Sequence, residues 1–374
     1  MTNFPQTANS WVGGLATYEP GRPIEEVARE LGFESAGEII KLASNENALG
    51  PSPMAVEAIR KHAAEMHRYP DGGAYYLKRK LAERLDVKPE QLLPANGSNE
   101  IIELMAHVFL GPDNGIVVAD QAFVVYRLIA ECFQAEIVSV PMKRFTHDLS
   151  AMLEAIKPNS RIVFISNPNN PTSTMVGEQE INDFMSKVSD DIIVCFDEAY
   201  IELLPPAQQP DTLKFVKEGR NVVILRTFSK TYGLAGLRIG YAVAAEPCIS
   251  LLNKVRQPFN VNSMAMTAAI AALDDDSHVG KTREMVQAGL AYLQGEFEGM
   301  GLNFVPAVAN FLLVEVGSGP SDPLRTGRKV FETLQKEGII VRPMDVYGLP
   351  GFIRVTVGTE EENTRFIKAF KALI

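Results

Sequence analysis

The chain is poor in the residues that build disulfide frameworks and metal sites. Its 374 residues include three cysteines, five histidines and one tryptophan. Cys132, Cys195 and Cys248 show no paired spacing, and Cys195 lies within an apolar run, so we expect reduced thiols and no disulfide. His62 and His67 are five positions apart, which is not the i, i+4 spacing of helical metal ligands, and the other histidines are isolated. We therefore expect no metal site.

The chain also lacks an excess of positive charge and any long apolar segment. Lys and Arg number 36 against 46 Asp and Glu, and the formal net charge of −10 argues against a nucleic-acid partner. No stretch reaches the roughly 18 uninterrupted apolar residues of a membrane span, and the N-terminus lacks a basic start and an apolar signal core. We therefore expect a cytoplasmic protein with no membrane contact, in keeping with its 46% hydrophobic and 22% charged residues.

Short β-branched runs alternate with helical patterns through the middle of the chain. Strands are predicted at residues 116–119, 161–166, 192–197, 222–226 and 238–244, and helices at 124–133, 148–156 and 178–188. This alternation predicts an α/β fold with a mainly parallel sheet covered on both faces. After about residue 265 the pattern changes to long helices and two strands, near 311–316 and 352–357, which predicts a second, α+β domain.

Residues 227–240, TFSKTYGLAGLRIG, carry the strongest functional signal. They follow a short apolar run that is typical of a buried strand. The strand ends on Thr227, Ser229 and Lys230, and Arg238 follows eight positions beyond the lysine. Such a lysine can bind an aldehyde cofactor as a Schiff base while the hydroxyls and the guanidinium hold its phosphate. Taken alone, a surface lysine after a strand would be the better interpretation.

Two further motifs end predicted strands. In DEAY, Asp197 could pair with a protonated pyridine nitrogen, and Tyr200 could donate to a phenolic oxygen on the same ring. In the segment 166–172, SNPNNPT, the amide of Asn170 could bond that oxygen as well. Each motif by itself has a simpler interpretation, a helix cap for the aspartate and an ordinary turn for the Asn-Pro steps.

Weaker candidates lie elsewhere. The stretch Gly97-Ser98-Asn99 starts a predicted helix and offers free N–H groups and a favourable dipole to a phosphate. Phe123 could lie flat against an aromatic ring. Arg342 and Arg354 stand beside apolar strand-like residues, where an arginine can grip a carboxylate or phosphate by two parallel hydrogen bonds. Helix capping, core packing and solvent-facing charges are the alternatives for these residues.

Taken in order, these pieces resemble the fold-type I pyridoxal-phosphate aminotransferases, and closely the histidinol-phosphate aminotransferase family. The resemblance covers nearly the whole chain, and the order and spacing of its motifs are far more specific than any one of them. The matching segments are YEPGRPIEEVARELG (18–32), SNENALGPSP (44–53), RYPDGG (68–73), NGSNEII (96–102), NPNNPT (167–172), DEAY (197–200), TFSKTYGLAGLRIG (227–240), RQPFNVN (256–262) and RVTVGT (354–359).

The resemblance implies a fold-type I transferase fold with a mixed, mainly parallel seven-stranded sheet between helices. We expect a large cofactor-binding domain at residues 45–265, and a smaller α+β domain formed by residues 1–44 and 266–374. It also implies a homodimer with shared active sites, because Tyr69 looks like the tyrosine that reaches the cofactor phosphate of the other subunit.

The resemblance implies pyridoxal 5′-phosphate as cofactor and assigns roles to the matching residues. Lys230, Asp197 and Tyr200 are the expected catalytic residues. Cofactor binding is expected at Tyr69, Gly97, Ser98, Asn99, Phe123, Asn170, Asp197, Tyr200, Thr227, Ser229, Lys230 and Arg238. Substrate binding is expected at Tyr18, Asn45, Arg342 and Arg354, with Tyr18 and the two arginines at the anionic end of the substrate.

The implied reaction moves the amino group of L-histidinol phosphate to 2-oxoglutarate in two half-reactions with ping-pong kinetics. Aromatic amino acids remain an alternative donor, because the arginine pair serves a carboxylate as well as a phosphate. A phosphothreonine-type decarboxylase and a non-catalytic cofactor-binding regulator are further alternatives, although the chain shows no basic DNA-binding extension.

Two positions depart from the family pattern. Ser173 stands where the family often has glycine after NPNNPT, so the turn there is expected to differ locally. Phe123 follows Gln121 and Ala122 where a Pro-Thr-Tyr stretch is frequent, which keeps the stacking surface but loses a phenolic hydroxyl.

Overall fold

The computed structural model describes residues 4–17, 22–317 and 326–374. Up to residue 140 its helices and strands are α1 (Phe4–Thr7), α2 (Ile24–Leu31), β1 (Ile40–Lys41), α3 (Pro53–His62), α4 (Tyr75–Leu85), β2 (Leu92–Ala95), α5 (Ser98–Phe109), β3 (Gly115–Ala119), α6 (Val125–Cys132) and β4 (Glu136–Val140).

The middle of the chain continues the alternation of strands and helices. Its elements are α7 (Leu149–Glu154), β5 (Ser160–Ser166), α8 (Glu178–Met185), β6 (Ile193–Asp197), α9 (Leu213–Lys217), β7 (Val222–Thr227), β8 (Gly240–Ala244), α10 (Glu246–Val255) and α11 (Ser263–Ala272). The C-terminal elements are α12 (Asp276–Gly299), β9 (Phe311–Glu315), α13 (Gly327–Lys336), β10 (Ile339–Ile340), β11 (Arg342–Pro343), β12 (Phe352–Thr356) and α14 (Glu360–Leu373).

Seven strands form one mixed sheet in the order β2-β8-β7-β6-β5-β3-β4. The five strands from β7 to β4 run parallel, and β8 runs antiparallel to both of its neighbours. The predicted mainly parallel, mixed seven-stranded sheet is confirmed. Because β5, β6 and β7 lie side by side and parallel, the polar residues that end them meet at one edge of the sheet.

Helices cover both faces of this sheet because the side chains of its inner strands alternate between two apolar cores. In β5, Val163 and Ile165 belong to the core built with α3, α4, α8 and α11. Ile162 and Phe164 belong to the core built with α5, α6 and α10. The inner strands are therefore packed against helices on both faces, which fixes the positions of the residues at their ends.

One predicted strand begins later than expected. The run 238–244 was predicted to be extended throughout, but β8 begins at Gly240 and Arg238 adopts a left-handed conformation with φ of 55°. Such a turn reverses the chain locally, and it brings the Arg238 guanidinium back against Gly97 instead of into the sheet.

The remaining strands form two small sheets that share a third core. β11, β12 and β9 make an antiparallel sheet, and β1 pairs with β10 in parallel through Ile40 and Ile339. Phe311 of β9 and Phe366 of α14 are fully buried in the third core. The pairing of β1 with β10 places residues 40–41 beside the C-terminal elements. The domain limits at residues 44 and 265 stay a prediction.

Candidate active site

A cavity of about 880 Å³ opens where the seven-stranded sheet faces the small antiparallel sheet. Its wall includes Ser166, Asp197 and Thr227, the last residues of β5, β6 and β7. Arg342 of β11 and Arg354 of β12 line it from the opposite side. The cavity therefore lies at the carboxyl ends of parallel strands, where open α/β sheets bind their ligands.

The structure brings most of the predicted site residues together at this cavity. Those that line it are Asn45, Ser98, Asn99, Phe123, Asn170, Asp197, Tyr200, Thr227, Ser229, Lys230, Arg238, Arg342 and Arg354. Gly97 lies behind the wall, in contact with Arg238. Tyr69 lies elsewhere on the surface, and Tyr18 lies outside the described residues.

Lys230 follows the end of β7 and reaches into the cavity. Its Nζ donates to the carbonyl oxygen of Ser44 at 3.1 Å and lies 5.6 Å from the centre of the Tyr200 ring. Burial, followed by the positive charge of Arg354, lowers the pKa of Lys230 to about 7. A large share of this amine is therefore neutral near pH 7, which is the nucleophilic form.

Asp197 is almost fully buried at the end of β6. The hydroxyl of Tyr126 donates to its Oδ2 at 2.6 Å, and the N–H of Ala199 donates to Oδ1 at 3.2 Å. Burial raises the pKa of Asp197 to about 6, and the hydrogen bond from Tyr126 opposes that rise. The carboxylate keeps acceptor capacity toward the cavity, so it can pair with a protonated ring nitrogen there.

Tyr126 is a site residue that the sequence analysis missed. It is fully buried in α6, stacks on Phe164 with ring centres 4.5 Å apart, and meets Phe123 edge-on at 5.6 Å. Its partner Asp197 is 71 positions away. Nothing in the local pattern of α6 distinguishes this phenol from an ordinary core aromatic.

Asn170 and Tyr200 lie on either side of the cavity, each held by another predicted site residue. Asn170 Oδ1 accepts a hydrogen bond of 2.5 Å from Arg354 Nη1, and the peptide bonds Asn167–Pro168 and Asn170–Pro171 around it are both cis. Tyr200 accepts a hydrogen bond of 2.9 Å from Asn45 Nδ2. Burial raises the pKa of Tyr200 to about 12, so its phenol remains a donor at neutral pH.

A second end of the cavity gathers groups that suit a phosphate. Gly97 has φ of 82°, and a Cβ there would lie 2.8 Å from Arg238 Nη2, so the guanidinium approaches a backbone that only glycine allows. Ser98 and Asn99, the first residues of α5, line the cavity as well. The Thr227 hydroxyl donates to Ser229 Oγ at 3.0 Å. Together they form a cradle of hydroxyls, helix N-terminus and positive charge.

The opposite end is built by two arginines at matching positions of one sheet. Arg342 pairs with Arg354 across β11 and β12, and side chains at paired positions of antiparallel strands lie on the same face. Arg354 is 7% exposed and its Nη2 donates to the carbonyl of Ala43 at 2.7 Å. Arg328 also lines the cavity and forms an ion pair of 3.1 Å with Asp345. The sequence analysis did not find Arg328, which lies on α13 without a motif.

A buried ion pair connects the ends of two strands that carry these groups. Arg226 of β7 contacts Glu198 at 2.8 Å, with side chains only 12% and 2% exposed. Thr212 donates a hydrogen bond to the same carboxylate. The pair joins the ends of β6 and β7, which carry Asp197 and Lys230, and the sequence analysis did not find it.

The two departures from the family pattern have local explanations. Ser173 keeps a left-handed conformation, with φ of 61°, which is the conformation a glycine would adopt there. Its Oγ accepts a hydrogen bond of 2.8 Å from the N–H of Ala309, so the serine ties this turn to the segment before β9. Phe123 lines the cavity, and its stacking role stays a prediction.

Tyr69 belongs to a group of exposed apolar residues away from the cavity. It is 84% exposed and stacks on Phe259, with ring centres 4.9 Å apart. Met66 and Tyr76 are about as exposed as Tyr69, at 69% and 72%. Exposed aromatic and methionine side chains on one segment mark an interaction surface more often than a free surface.

Two negative findings apply to residues 4–17, 22–317 and 326–374. They contain no helix long and apolar enough to cross a membrane. They also contain no group of three or more His, Cys, Asp or Glu side chains placed to hold a metal ion.

Comparison with known proteins gives a consistent picture. The model of the family described as aminotransferase class I and II matches residues 37–370. The histidinol-phosphate aminotransferase of Akkermansia muciniphila is 50% identical over 368 residues, which covers 98% of each chain. That of Moorella thermoacetica is 47% identical over 361 residues, covering 96% of this chain and 91% of its own.

The similarity extends to solved structures. The crystal structure of histidinol-phosphate aminotransferase from Sinorhizobium meliloti in complex with pyridoxal-5′-phosphate superposes with a TM-score of 0.87 at 25% identity. The match covers 99% of this chain and all of that chain.

Proposed function

Because the chain belongs to the class I and II aminotransferases, we propose that it transfers the amino group of L-histidinol phosphate to 2-oxoglutarate. The products are imidazole-acetol phosphate and L-glutamate. The observation that carries the proposal is that the buried amine of Lys230 and the two arginines Arg342 and Arg354 line the same cavity. The names of relatives at 47% and 50% identity over nearly the full length support the choice of donor.

The protein is a pyridoxal-phosphate-dependent enzyme, and its cavity fits that cofactor. Lys230 would hold the aldehyde carbon, Asp197 the ring nitrogen, and the cradle of Gly97, Thr227 and Arg238 the phosphate. When bound, pyridoxal 5′-phosphate supplies an aldehyde that accepts an amino group and a ring that accepts an electron pair. The guanidinium of Arg238 beside the positive-φ backbone of Gly97, with the hydroxyls of Thr227 and Ser229 on the same cavity wall, is the observation that favours a phosphate at this end.

Lys230 is the group that moves a proton in the proposed reaction. With a pKa near 7, its Nζ would accept a proton from the donor carbon that bears the amino group and deliver it to the former aldehyde carbon of the cofactor, and it would carry a proton the opposite way in the second half-reaction. The carboxylate of Asp197 holds a proton on the ring nitrogen, and its burial excludes water from that ion pair. Tyr200 and Asn170 orient the ring through its oxygen.

Arg354 and Arg342 bind the anionic end of each substrate in turn. A dianionic phosphate and a carboxylate both accept two parallel hydrogen bonds from a guanidinium, so one arginine pair serves the donor and the acceptor. Arg354 is held by Ala43 and Asn170, and it therefore presents a fixed geometry to either anion.

We also propose a homodimer in which Tyr69 reaches the cofactor phosphate of the partner subunit. The exposed stack of Tyr69 on Phe259 supports this, and Tyr69 is not among the described residues that line the cavity of its own chain. The expectation of a cytoplasmic location stands as part of the same proposal. Sedimentation should give twice the 41.1 kDa of one chain. Tyr69→Phe should weaken cofactor binding, whereas Tyr76→Phe, a control on the same segment, should not.

The decisive experiment measures donor turnover by the purified, cofactor-loaded protein with 2-oxoglutarate. We expect a large preference in kcat/KM for L-histidinol phosphate over L-phenylalanine, parallel double-reciprocal plots, and no turnover by Lys230→Ala. A preference for phenylalanine would make the protein an aromatic aminotransferase. Carbon dioxide without glutamate would instead indicate a decarboxylase, and intersecting plots would contradict the two-step scheme.

A further inference from the structure

One carboxylate on the cavity wall has no part in the reaction described so far. Among the described residues that line the cavity, the acidic side chains are Asp197 and Glu46. Asp197 is committed to the cofactor end, where Tyr126 and Ala199 hold it. Apart from Asp197, the other charged groups that line the cavity are a lysine and four arginines, so the position of Glu46 requires an explanation.

The backbone around Glu46 is held firmly at the cavity. The side-chain amide of Asn310 donates to the carbonyl oxygens of both Asn45 and Glu46 at 3.1 Å. The carboxylate of Glu46 is 44% exposed, and its Oε1 pairs with Lys41 Nζ at 3.1 Å. The pair leaves the lone pairs of Oε2 available to a ligand.

Residues 43–46 cross the cavity in a definite order. The carbonyl of Ala43 contacts Arg354, at the anion-binding end. The next carbonyl, of Ser44, contacts the amine of Lys230, and the side chain of Asn45 contacts Tyr200. Glu46 is the next residue along this stretch and also lines the cavity. Its nearness to that lysine is also seen in the pKa of Lys230, which burial and Arg354 lower and which Glu46 acts to raise.

This order matches the chemical order of the proposed donor. In L-histidinol phosphate the phosphate and the imidazole lie on opposite sides of the carbon that bears the amino group. A phosphate on Arg354 and an amino carbon at Lys230 follow the order of the contacts made by Ala43 and Ser44, and the imidazole then falls to the next part of this stretch, which includes Glu46. An imidazole N–H is a hydrogen-bond donor and becomes a stronger one when the ring is protonated.

We propose that Glu46 accepts a hydrogen bond from the imidazole of the amino donor and selects an imidazole over other side chains. The inference rests on the proposed function, because it takes histidinol phosphate as the donor. It adds a specificity-determining residue to the cavity wall. Glutamate, the other amino donor of the reversible reaction, presents a second carboxylate there, which gains nothing from Glu46.

The test compares Glu46→Gln with the wild-type, cofactor-loaded enzyme in two separate half-reactions. With L-histidinol phosphate, kcat/KM should fall by about tenfold to a hundredfold, which is the usual effect of losing a hydrogen bond to a charged group. With L-glutamate, kcat/KM should not fall. Glu178→Gln is the matched control, because Glu178 pairs with Lys214 at 2.8 Å at a similar exposure and does not line the cavity.

Each outcome decides a different question. An equal loss of kcat/KM for both donors would mean that Glu46 acts through Lys230. An unchanged kcat/KM for both would mean that Glu46 does not contact the substrate. Either result would overturn the inference. If the wild-type enzyme does not use histidinol phosphate, the proposed function itself fails, and this is measured first. Should Glu46→Gln not fold, Glu46→Asp keeps the charge but shortens the side chain, and kcat/KM with L-histidinol phosphate must still fall relative to kcat/KM with L-glutamate, though by less.

Discussion

Gly233 lies three residues after Lys230, and its replacement by alanine should be among the most damaging small changes in the chain. It has φ of 69°, and an added Cβ would clash with the carbonyl of Gly50 and lie 2.7 Å from its carbon and 2.8 Å from Cα of Pro51. These are backbone atoms, so no side-chain rotation relieves the contact. The left-handed conformation costs alanine about 1–2 kcal/mol, and forcing an extra carbon into a packed contact costs about 1–3 kcal/mol. Gly233→Ala should therefore lower the free energy of unfolding by about 2–5 kcal/mol.

Two neighbouring glycines separate these contributions. Gly50 has φ of 75° and open space around its Cα, so Gly50→Ala should lose only the conformational part, about 1–2 kcal/mol. Gly236 has neither a positive φ nor a close neighbour, so Gly236→Ala should stay within about 0.5 kcal/mol of wild type. Urea unfolding at one protomer concentration, without cofactor, measures all three. If Gly233→Ala is no less stable than Gly50→Ala, the backbone clash does not exist in solution and the reasoning is refuted.

Three further predictions concern the cavity and its support. Uptake of pyridoxal 5′-phosphate by the cofactor-free protein should accelerate as the pH rises through about 7, because burial lowers the pKa of Lys230 from the ordinary lysine value of 10.5. Stopped-flow absorbance measures the rate of uptake, and a midpoint near pH 10 would contradict this prediction. Tyr126→Phe removes a hydrogen bond worth about 1.5–3 kcal/mol to a charged group, or about one to two pKa units. It should raise the pKa of Asp197 above about 6 and increase the Kd for the cofactor in an absorbance titration at neutral pH, and an unchanged Kd would show that the phenol is dispensable. Ser173→Ala leaves the N–H of Ala309 unsatisfied and should cost about 1–3 kcal/mol in urea unfolding. Ser173→Gly should cost less because it relieves the positive φ, and the reverse order would contradict this account.

The inner strands could be predicted from the sequence, but the edge strands could not. β5, β6 and β7 are runs of apolar, mostly β-branched residues because both of their faces are buried. β2 and β4 lie at the two edges of the sheet. β2 contains Pro94, which a strand tolerates only at an edge, and β4 is partly exposed along its length. Neither has the pattern of a buried strand.

The same distinction holds within the site. Lys230, Asp197 and Asn170 could be proposed because each lies at or within a few residues of the end of a strand, so the local sequence determines where the side chain emerges. The hydrogen bond between Tyr126 and Asp197 and the pairing of Arg342 with Arg354 depend on contacts between separate elements. Such contacts follow from sheet register and helix packing, which no single segment encodes.

The hydrogen bond between Arg354 and Asn170 has a consequence for anyone who wishes to redesign the donor range of this enzyme. The arginine that we propose for the anion of the substrate also donates to the amide that we propose for the cofactor ring, and it is itself bound to the carbonyl of Ala43. Replacing it to admit an uncharged donor would disturb the ring as well as the anion site, and the loss in rate could not be assigned to either. Glu46 pairs with Lys41 and not with Asn170. Substitutions at Glu46 are therefore the better route to a different donor side chain, because they leave the hydrogen bond between Arg354 and Asn170 in place.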